Sequence, residues 1–456
     1  MNRNALNYLK NWLSDDARRL PIVLRGARQV GKTWLVRQLA KETGLQLIEF
    51  NFEREPFHKE LFASNDPKKI VLNIESALNR SIDINHSLLF LDEIQAVPEL
   101  LAKLRWFAED MPELPVITAG SLLEFVLDDH TFSMPVGRIS YVHLEPLSFE
   151  EFLMASKREK LLDYVHQYTI NQDAIPLPIH TQLLSLFKEY VMIGGLPAAV
   201  ASWTTHQSLE KVQLVHHDLL ATYRDDFSKY ARKIPIERLD EIIYVAPKLL
   251  GKKFVYRQVN QEVQTPTIKK ALDLLCKARV CHRVYATHAN GIPMAAEIKE
   301  KTCKVILLDT GLVSAALDLS LHQLNQLPDI NLVNQGAISE QMVGQLLRCV
   351  RPLYVQPHLY YWTREESNAS SEIDYLIQHH THLVPIEVKS GTTGTLKSLH
   401  YFMAEKKLPI AVRICSDLPS ITQVNMKTNT GKTAQYTLLS IPFYFTEQIH
   451  RLLAMI

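Results

Sequence analysis

The sequence predicts an α/β fold whose first part is built around a parallel sheet. An apolar run at residues 22–24 precedes a glycine-rich loop and a segment with helical spacing. A second apolar run, at residues 88–91, is followed by Asp92 and Glu93, and a third, which includes Thr118, lies at residues 115–119. Short apolar runs that alternate with helical segments are typical of buried parallel strands.

The glycine-rich loop has the spelling of a phosphate-binding loop, with glycine, four residues and then Gly-Lys-Thr. The glycines let backbone N–H groups point at a phosphate, and the following helix directs its positive end at the same group. We expect Lys32 to reach the β- and γ-phosphates and Thr33 to bind Mg²⁺. The predicted ATP-binding residues are Gly26, Ala27, Arg28, Gln29, Val30, Gly31, Lys32, Thr33, Trp34 and, on a later strand, Ser121.

The acidic pair at residues 92–93 supplies a second part of a nucleotide site. In an open α/β sheet, ligands bind at the carboxyl ends of the strands. We therefore expect Asp92 to hold Mg²⁺ through water and Glu93 to act as the catalytic residue that polarises the attacking water. Two acids that merely cap the next helix are the alternative. Together with the loop, the pair predicts ATP and Mg²⁺ as cofactors.

Two further polar features follow in the chain. Thr118 or Ser121, at the end of the strand predicted for residues 115–121, is expected to contact the γ-phosphate or the attacking water; a hydroxyl bonded to its own backbone is the alternative. Arg138 precedes a strand predicted for residues 139–144. It is a candidate catalytic arginine, supplied in cis or by a neighbouring subunit, that neutralises charge on the transferring phosphoryl group. A structural salt bridge is the alternative.

Length and composition limit the class of protein. A chain of 456 residues is too long for one core, and we expect about two to four domains. The hydrophobic content of 46% and charged content of 22% are ordinary for a globular protein. With a net charge of +1, nucleic-acid affinity would need a local basic patch. The five cysteines form no zinc spacing. The absence of a signal core and of a long apolar run predicts a cytoplasmic protein with no membrane partner.

Several short motifs occur together along the chain. Besides the loop and the strand at 87–95, they are Gly137-Arg138, Leu-Glu-Pro-Leu-Ser-Phe-Glu-Glu-Phe at 144–152, Gly-Gly-Leu-Pro at 194–197, Leu-Asp-Thr-Gly-Leu at 308–312 and Ile-Glu-Val-Lys-Ser-Gly at 386–391. In this combination the chain resembles prokaryotic AAA-type ATPases that carry a C-terminal nuclease-like domain of uncertain role. The resemblance implies a P-loop AAA-type ATPase core with a parallel sheet (1–145), a helical lid (146–235), a winged helix (236–325) and a restriction-endonuclease-like α/β domain (326–456).

The pattern from Leu239 onward is typical of a winged helix, with three helices followed by a strand at 279–285. Between residues 248 and 283 there are nine basic residues and two acidic ones. A local positive excess is what binding to a phosphate backbone requires, so DNA is a predicted partner. A basic face used for protein contacts is the alternative. The nine basic residues are Lys248, Lys252, Lys253, Arg257, Lys269, Lys270, Lys277, Arg279 and Arg283.

Residues near the C-terminus form a candidate metal site. Glu387 and Lys389 lie two apart on a predicted strand and so share a face, and Asp374 lies on the preceding strand of a predicted hairpin. Two carboxylates bind Mg²⁺ while a lysine orients or activates water for attack on a phosphodiester. The set resembles the PD-(D/E)XK nuclease superfamily, which implies Glu340 as an additional helix carboxylate, although no proline precedes Asp374. A structural ion pair in an inactive scaffold is the alternative.

These features predict an ATPase, converting ATP to ADP and phosphate, whose nucleotide state repositions a winged helix and a nuclease-like domain. Two other classes stay open. One is a metal-dependent DNA nuclease gated by ATP. The other is a signalling switch that binds nucleotide, rarely turns it over and carries an inactive nuclease fold. The expected partners are ATP or ADP, DNA and further copies of the same chain.

Overall fold

The computed structural model describes residues 3–15, 19–128, 134–170, 174–230, 234–321, 335–366, 369–389, 395–429 and 431–456. The chain divides into two compact units. Unit 1 contains Met1–Glu145 together with the short segments Lys277–Arg279 and Arg351–Gln356. Unit 2 contains Pro146–Cys276, Val280–Val350 and Pro357–Ile456. No helix within the described ranges is long and apolar enough to cross a membrane.

Unit 1 is built on a five-stranded sheet with the order β2-β3-β4-β1-β5. All neighbouring strands are parallel, so their carboxyl ends meet at one edge. The α/β fold with a parallel sheet, predicted from the apolar runs, is confirmed. The strands are β1 (Ile22–Arg25), β2 (Gln46–Asn51), β3 (Ser87–Asp92), β4 (Val116–Ala119) and β5 (Ser140–His143).

Helices cover this sheet and bury their apolar faces against it. In the helix Leu100–Asp110, Leu101, Leu104 and Phe107 recur at helical spacing, and each is almost fully buried. They pack into one core with residues of β2, β3 and β4. This core fixes the strand ends that carry the candidate site. The helices of the unit are Asn4–Ser14, Lys32–Thr43, Pro67–Leu78, Leu100–Asp110 and Leu123–Asp128.

Unit 2 contains an eight-stranded mixed sheet with the order β12-β13-β11-β10-β9-β8-β6-β7. Strands β9 and β10 form the predicted antiparallel hairpin, while β6 pairs with β8 in parallel. The strand expected for the winged helix and the strands expected for the nuclease-like domain therefore share one sheet. The strands are β6 (Cys281–Thr287), β7 (Ile298–Leu307), β8 (Leu359–Glu366), β9 (Ala369–His379), β10 (His382–Val388), β11 (Ile410–Cys415), β12 (Ser420–Lys427) and β13 (Thr433–Pro442).

The helices of unit 2 fall into two groups along the chain. Those before β6 are Phe149–Ala155, Glu159–Gln167, Leu177–Ile193, Pro197–His206, Leu209–Asp225, Phe227–Tyr230, Ile236–Val245, Tyr256–Val259 and Thr265–Lys277. Those after β7 are Thr310–Ala316, Gln335–Cys349, Lys397–Lys406 and Ile449–Leu453. One large core joins helices of both groups to the sheet. The predicted domain boundary at 325/326 lies outside the described residues.

A buried carboxylate connects two of the glycine motifs in unit 2. Asp309 is completely buried, and it accepts hydrogen bonds from the backbone N–H groups of Gly195 (2.6 Å) and Gly311 (2.8 Å) and from the side-chain amide of Gln345 (2.9 Å). A Cβ atom on Gly194 would lie 2.0 Å from the same carboxylate. The glycine-rich turn at 194–195 is therefore bound tightly to the start of the helix Thr310–Ala316.

His216 packs against the same motif. Its ring is buried, and its Nε2 atom lies 2.8 Å from the carbonyl oxygen of Ile193, which makes Nε2 the protonated nitrogen. A Cβ atom on Gly311 would lie only 2.4 Å from Nε2. Burial lowers the pKa of His216 from 6.5 to about 4. The neutral imidazole is thus the form that the folded state accommodates.

We predict that this histidine makes unit 2 acid-sensitive. A base whose pKa is lowered by folding contributes stability above its unfolded pKa, near 6.5, and loses that contribution as the pH falls towards 4. The loss amounts to about 3 kcal/mol in the free energy of unfolding. His216→Gln keeps a donor for Ile193 but does not titrate. Urea unfolding between pH 7 and pH 4 should therefore show a shallower loss of stability for the variant, and parallel curves would contradict the assignment.

Candidate active site

The loop at residues 26–33 joins β1 to the helix Lys32–Thr43 at the carboxyl edge of the parallel sheet. Gly26 has no room for a side chain, because a Cβ atom would lie 2.5 Å from the carbonyl oxygen of Leu144. Gly31 has a φ of 92°, a left-handed conformation that favours glycine. The two glycines of the motif are therefore required by the path of the backbone.

Lys32 lies within the curl of this loop. Its Nζ atom donates hydrogen bonds to the carbonyl oxygens of Gly26 (3.1 Å) and Ala27 (2.8 Å). Burial lowers the pKa of Lys32 to about 8, and the carboxylates of Glu93 and Asp92 oppose that shift. The ammonium group is thus held among backbone dipoles beside two acids, where an additional anionic ligand would stabilise its charge.

Asp92, the last residue of β3, is the point where several parts of the site meet. Its Oδ2 atom accepts hydrogen bonds from the hydroxyl of Thr33 (3.0 Å) and from the side-chain amide of Asn51 (3.3 Å). Its Oδ1 atom accepts one from the N–H of Glu93 (3.1 Å). Burial, followed by the neighbouring charge of Glu93, raises the pKa of Asp92. The structure therefore brings together Thr33 and Asp92, the two predicted Mg²⁺ ligands of the loop and the acidic strand.

Glu93 directly follows β3 with a left-handed backbone, φ 50°. Its Oε2 atom accepts a hydrogen bond of 2.6 Å from the side-chain amide of Gln95. The side chain is partly exposed and lies at the same sheet edge as the loop. A left-handed conformation is uncommon for glutamate and marks a constrained turn at this position.

The two hydroxyls considered for β4 lie in different places. Thr118 is fully buried within the strand, and its hydroxyl donates to the carbonyl oxygen of Ile22 on the neighbouring strand β1. This bond assigns Thr118 to the sheet and leaves Ser121 as the candidate for contact with phosphate. Ser121 lies two residues beyond β4, at the carboxyl edge, and is 4% exposed.

Arg138 lies at the opposite edge of the sheet from the loop. It precedes β5, whose first residue, Ser140, is the register partner of Ile22, whereas the last residue, His143, is opposite Arg25 next to the loop. The whole of β5, four residues, lies between Arg138 and that end. Its Nε atom pairs with Glu109 at 2.8 Å. Arg138 therefore lies at the amino edge of the sheet and pairs with Glu109 there.

Arg279 is close enough to the loop to affect the charge of Lys32, which the sequence did not indicate. Arg279 is one of the nine basic residues of the predicted DNA-binding patch. The segment Lys277–Arg279 belongs to unit 1, however, and the side chain of Arg279 is 5% exposed. Its Nε and Nη2 atoms bind Glu124 at 2.9 and 2.7 Å, and Nη2 lies 3.1 Å from His143 Nδ1. Its charge contributes to the lowered pKa of Lys32. Arg279 is therefore removed from the predicted DNA-binding surface.

The remaining predicted loop residues differ in exposure. Ala27 and Val30 are buried, and Val30 accepts a hydrogen bond from Arg3 through its carbonyl oxygen. Gln29 is exposed with a φ of 65°, Arg28 is partly exposed, and Trp34 is 38% exposed. Their backbone N–H groups, rather than their side chains, are what the motif offers to a phosphate.

The second candidate site lies in unit 2, on the hairpin of β9 and β10. Lys389 and Glu387 share a face as predicted, and Lys389 Nζ lies 2.7 Å from Glu387 Oε1. Asp374 accepts a hydrogen bond of 2.8 Å from the N–H of Val388. Burial, with the nearby charge of Asp374, raises the pKa of Glu387 to about 8. Glu387 Oε2 is buried and has no hydrogen-bond partner among the described residues.

Glu340 belongs to the same acidic region but is bound by a lysine that the sequence did not indicate. Lys304, on β7, is 1% exposed, and its Nζ lies 2.7 Å from Glu340 and 2.5 Å from Glu372. Burial alone would lower the pKa of Lys304, but the carboxylates of Glu340 and Glu372 raise it above its ordinary value. The predicted helix ligand therefore faces an ammonium group.

The donor chemistry fits a hard cation only in part. Asp374 and Glu387 are oxygen donors of the kind that Mg²⁺ prefers, and the unpartnered Glu387 Oε2 is an acceptor without a donor. Within the described ranges, however, no group of three or more His, Cys, Asp or Glu side chains is placed to hold a metal ion. Lys304 and Lys389 neutralise Glu340 and Glu387 in this arrangement. Ser390 and Gly391 of the motif lie outside the described residues.

The comparisons with known proteins match the first part of the chain to an ATPase family. Residues 18–153 match a family of AAA domains (AAA_14), over the range that contains the loop, the acidic strand and Arg138. The chain contains an AAA-type P-loop ATPase domain. The match supports ATP binding by this domain. Two further matches are to domains of unknown function, DUF8612 at residues 184–323 and DUF4143 at residues 335–442.

Solved structures with distant similarity to this chain include the following three. The Walker-type ATPase PABY2304 of Pyrococcus abyssi is 15% identical, covering 69% of this chain and 95% of that one, with a TM-score of 0.43. The ORC2 protein of Aeropyrum pernix is 12% identical, covering 71% and 92%, with a TM-score of 0.34. The RuvB Holliday junction branch migration motor of Thermotoga maritima is 18% identical, covering 62% and 90%, with a TM-score of 0.29. No curated protein matches the chain.

Residues that sequence reasoning missed around the AAA domain had different kinds of signal. Gln95 stands two residues after Glu93, so its proximity was visible in the sequence. Asn51 ends an alternating strand, which is where polar site residues occur in parallel sheets. Arg279 is 155 residues from its partner Glu124. Only the tertiary structure brings that pair together.

We predict that Lys32→Ala removes most of the affinity of the AAA domain for Mg-ATP, by about 100-fold or more, because the γ-phosphate loses the loop's positive side chain. Lys41→Ala, on the same helix but exposed, serves as the matched control and should bind as the wild type does. Titration calorimetry measures both. Equal affinity for wild type and Lys32→Ala would overturn the assignment of the loop.

Proposed function

We propose that the AAA domain hydrolyses ATP with Mg²⁺ and that its nucleotide state controls a DNA-binding and nuclease-like C-terminal part. The observation that carries the first half is the contact between Thr33 and Asp92, with Glu93 as the next residue. A hydroxyl on the loop and a carboxylate at the strand end are the ligands that a Mg-nucleotide site uses. The acid beside them is placed to act on water.

Each residue of the site has a role in this reaction. Backbone N–H groups of residues 27–33 would bind the phosphates, and Lys32 would exchange the carbonyl oxygens of Gly26 and Ala27 for phosphate oxygens. Thr33 and Asp92 would hold Mg²⁺, which neutralises charge on the β- and γ-oxygens when bound. Glu93 would accept a proton from the attacking water, and Ser121 would contact the γ-phosphate from β4.

Arg138 is proposed to act in trans. Its place at the amino edge of the sheet separates it from its own loop by the length of β5. Arg138 is half-exposed, and its partner Glu109 also pairs with Arg105. An exposed ion pair contributes little net energy, so the bond between Arg138 and Glu109 can break at small cost when Arg138 contacts a nucleotide. Arg138 then contacts a nucleotide that is bound to a second copy of the chain. Fast ATP turnover therefore requires at least two copies to assemble.

DNA binding is proposed for the helices Ile236–Val245, Tyr256–Val259 and Thr265–Lys277 with the hairpin of β6 and β7. Their order is that of a winged helix, and Lys269 and Lys270 are exposed on the third helix. The patch is smaller than the sequence predicted. Arg279 is buried in unit 1, and Arg283 is only 14% exposed and pairs with Asp273 at 2.7 Å.

A second candidate function is metal-dependent cleavage of DNA at the acidic region of β9 and β10. The observation that favours it is the pairing of Lys389 with Glu387 beside Asp374, together with the unpartnered Glu387 Oε2. Asp374 and Glu387 would hold Mg²⁺, which polarises a phosphodiester when bound. Lys389 would orient water. The contact of Lys304 with Glu340 has to open before Glu340 joins them.

We predict that Arg138→Ala slows ATP turnover by about 10³-fold while leaving ATP affinity intact. Glu93→Gln should slow it comparably. A mixture of the two variants should regain activity, because mixed assemblies contain interfaces that pair an intact Glu93 with an intact Arg138. Arg105→Ala, which removes the other partner of Glu109, is the control and should remain active. No recovery in mixed assemblies confirmed by sedimentation would refute action in trans.

We predict that replacing Arg257, Lys269 and Lys270 by alanine weakens duplex binding and lowers the slope of log K against log salt by about three, one for each lost phosphate contact. Replacing the exposed Lys59, Lys68 and Lys69 instead changes the net charge equally and should have little effect.

Asp374→Ala should bind DNA normally but cut none in Mg²⁺ or Mn²⁺. Fluorescence anisotropy and a plasmid-nicking assay measure the two effects, and cutting that survives Asp374→Ala would exclude the second function.

A further inference from the structure

The side chain of Gln95 connects two strand ends of the AAA domain. Gln95 lies in the short turn Ile94–Ala96 that follows β3. Its Nε2 atom donates a 2.6 Å hydrogen bond to Glu93 Oε2. Its Oε1 atom lies against Gly120, the residue that follows β4, since a Cβ atom there would be 2.2 Å from Oε1. The amide thus lies between the candidate catalytic acid and the strand that leads to Ser121.

The orientation of this amide is determined by its neighbours. An ionised carboxylate only accepts hydrogen bonds, so the NH₂ group has to face Glu93. The carbonyl oxygen then faces Gly120, where it is buried and has no partner among the described residues. Leaving an acceptor unsatisfied is costly, and the arrangement is retained because the bond to Glu93 is charge-assisted and therefore strong.

Gly120 is what makes the arrangement sterically feasible. With any other residue, the Cβ atom would overlap Gln95 Oε1 at 2.2 Å and would also crowd Leu123 Cγ at 3.0 Å. The first overlap concerns the end of a flexible side chain, which would turn away instead of disrupting the sheet. The absence of a side chain at Gly120 therefore allows Gln95 to orient the carboxylate of Glu93. The backbone of Glu93 is itself left-handed, with a φ of 50°.

We propose that Gln95 is a positioning residue for ATP hydrolysis and acts through Glu93. By engaging Oε2, it restricts rotation of the carboxylate and leaves Oε1 to receive the proton of the attacking water. Its contact with Gly120 links that orientation to the end of β4, next to Ser121. A misdirected base loses rate although the nucleotide remains bound. This inference rests on the proposed ATPase function and adds a residue to it.

Gln95→Met tests the inference, because methionine has a similar size and cannot donate to Glu93. In the full-length protein with Mg-ATP, kcat should fall about 10- to 100-fold while KM stays within about twofold. Gly120→Ala should produce the same pattern by displacing the amide. Thermal unfolding of both variants is measured alongside, and Gln95→Met alone decides the matter where Gly120→Ala does not fold.

A double-mutant cycle separates positioning from general loss of structure. If Gln95 acts through Glu93, Gln95→Met should lower kcat in the wild-type background but change it less than about twofold in the Glu93→Gln background. The same fold-loss in both backgrounds, or an unchanged kcat in the wild-type background, would overturn the inference. Failure of the ATPase proposal looks different, since the wild type would then show no turnover or Glu93→Gln would be as active as the wild type.

Discussion

The carboxylate of Asp92 is the constraint on which the nucleotide site depends. It is 3% exposed, and its donors come from three segments, namely the loop helix, β2 and the turn after β3. Burying an anion is costly unless hydrogen bonds compensate, so these segments have to approach closely. The parallel register brings their ends to one edge, and Asp92 binds them together there. The relative positions of Thr33 and Glu93 follow from their hydrogen bonds to this one buried carboxylate.

Unit 2 also contains a buried carboxylate that joins separate segments of the chain, here with a structural role. Asp309 is buried and satisfies the backbone N–H groups of Gly195 and Gly311, with Gln345 as a third donor. Burial raises its pKa to about 6, which shows how costly the charge is in that place. Two glycines and a proline at residues 194–197 fit either a hinge or a tight turn. The hydrogen bonds to Asp309 and the overlap a side chain would cause at Gly194 favour the tight turn.

Features that depend on residues close together in the sequence could be predicted. Contacts between residues far apart in the sequence could not. The loop and Asp92 are encoded by spacing and by an apolar run, and the pairing of Glu387 with Lys389 follows from the two-residue period of a strand. Lys304 gave no such signal, because its contact with Glu340 depends on how β7 and a helix are placed in three dimensions. Arg279 was assigned to the wrong surface for the same reason, since charge counts ignore burial.

The pairing of β6 with β8 has a consequence for how this chain can be divided. The similarity to DUF4143 begins at residue 335, after both β6 and β7. A fragment cut at that point would keep β8 but lose the strand that covers one of its edges. The edge so exposed would include Tyr361 and Trp362, which are buried in the whole chain, and exposed apolar edges associate with other strands. We expect such a fragment to aggregate. A fragment of unit 2 made for expression should therefore contain all eight strands of the sheet.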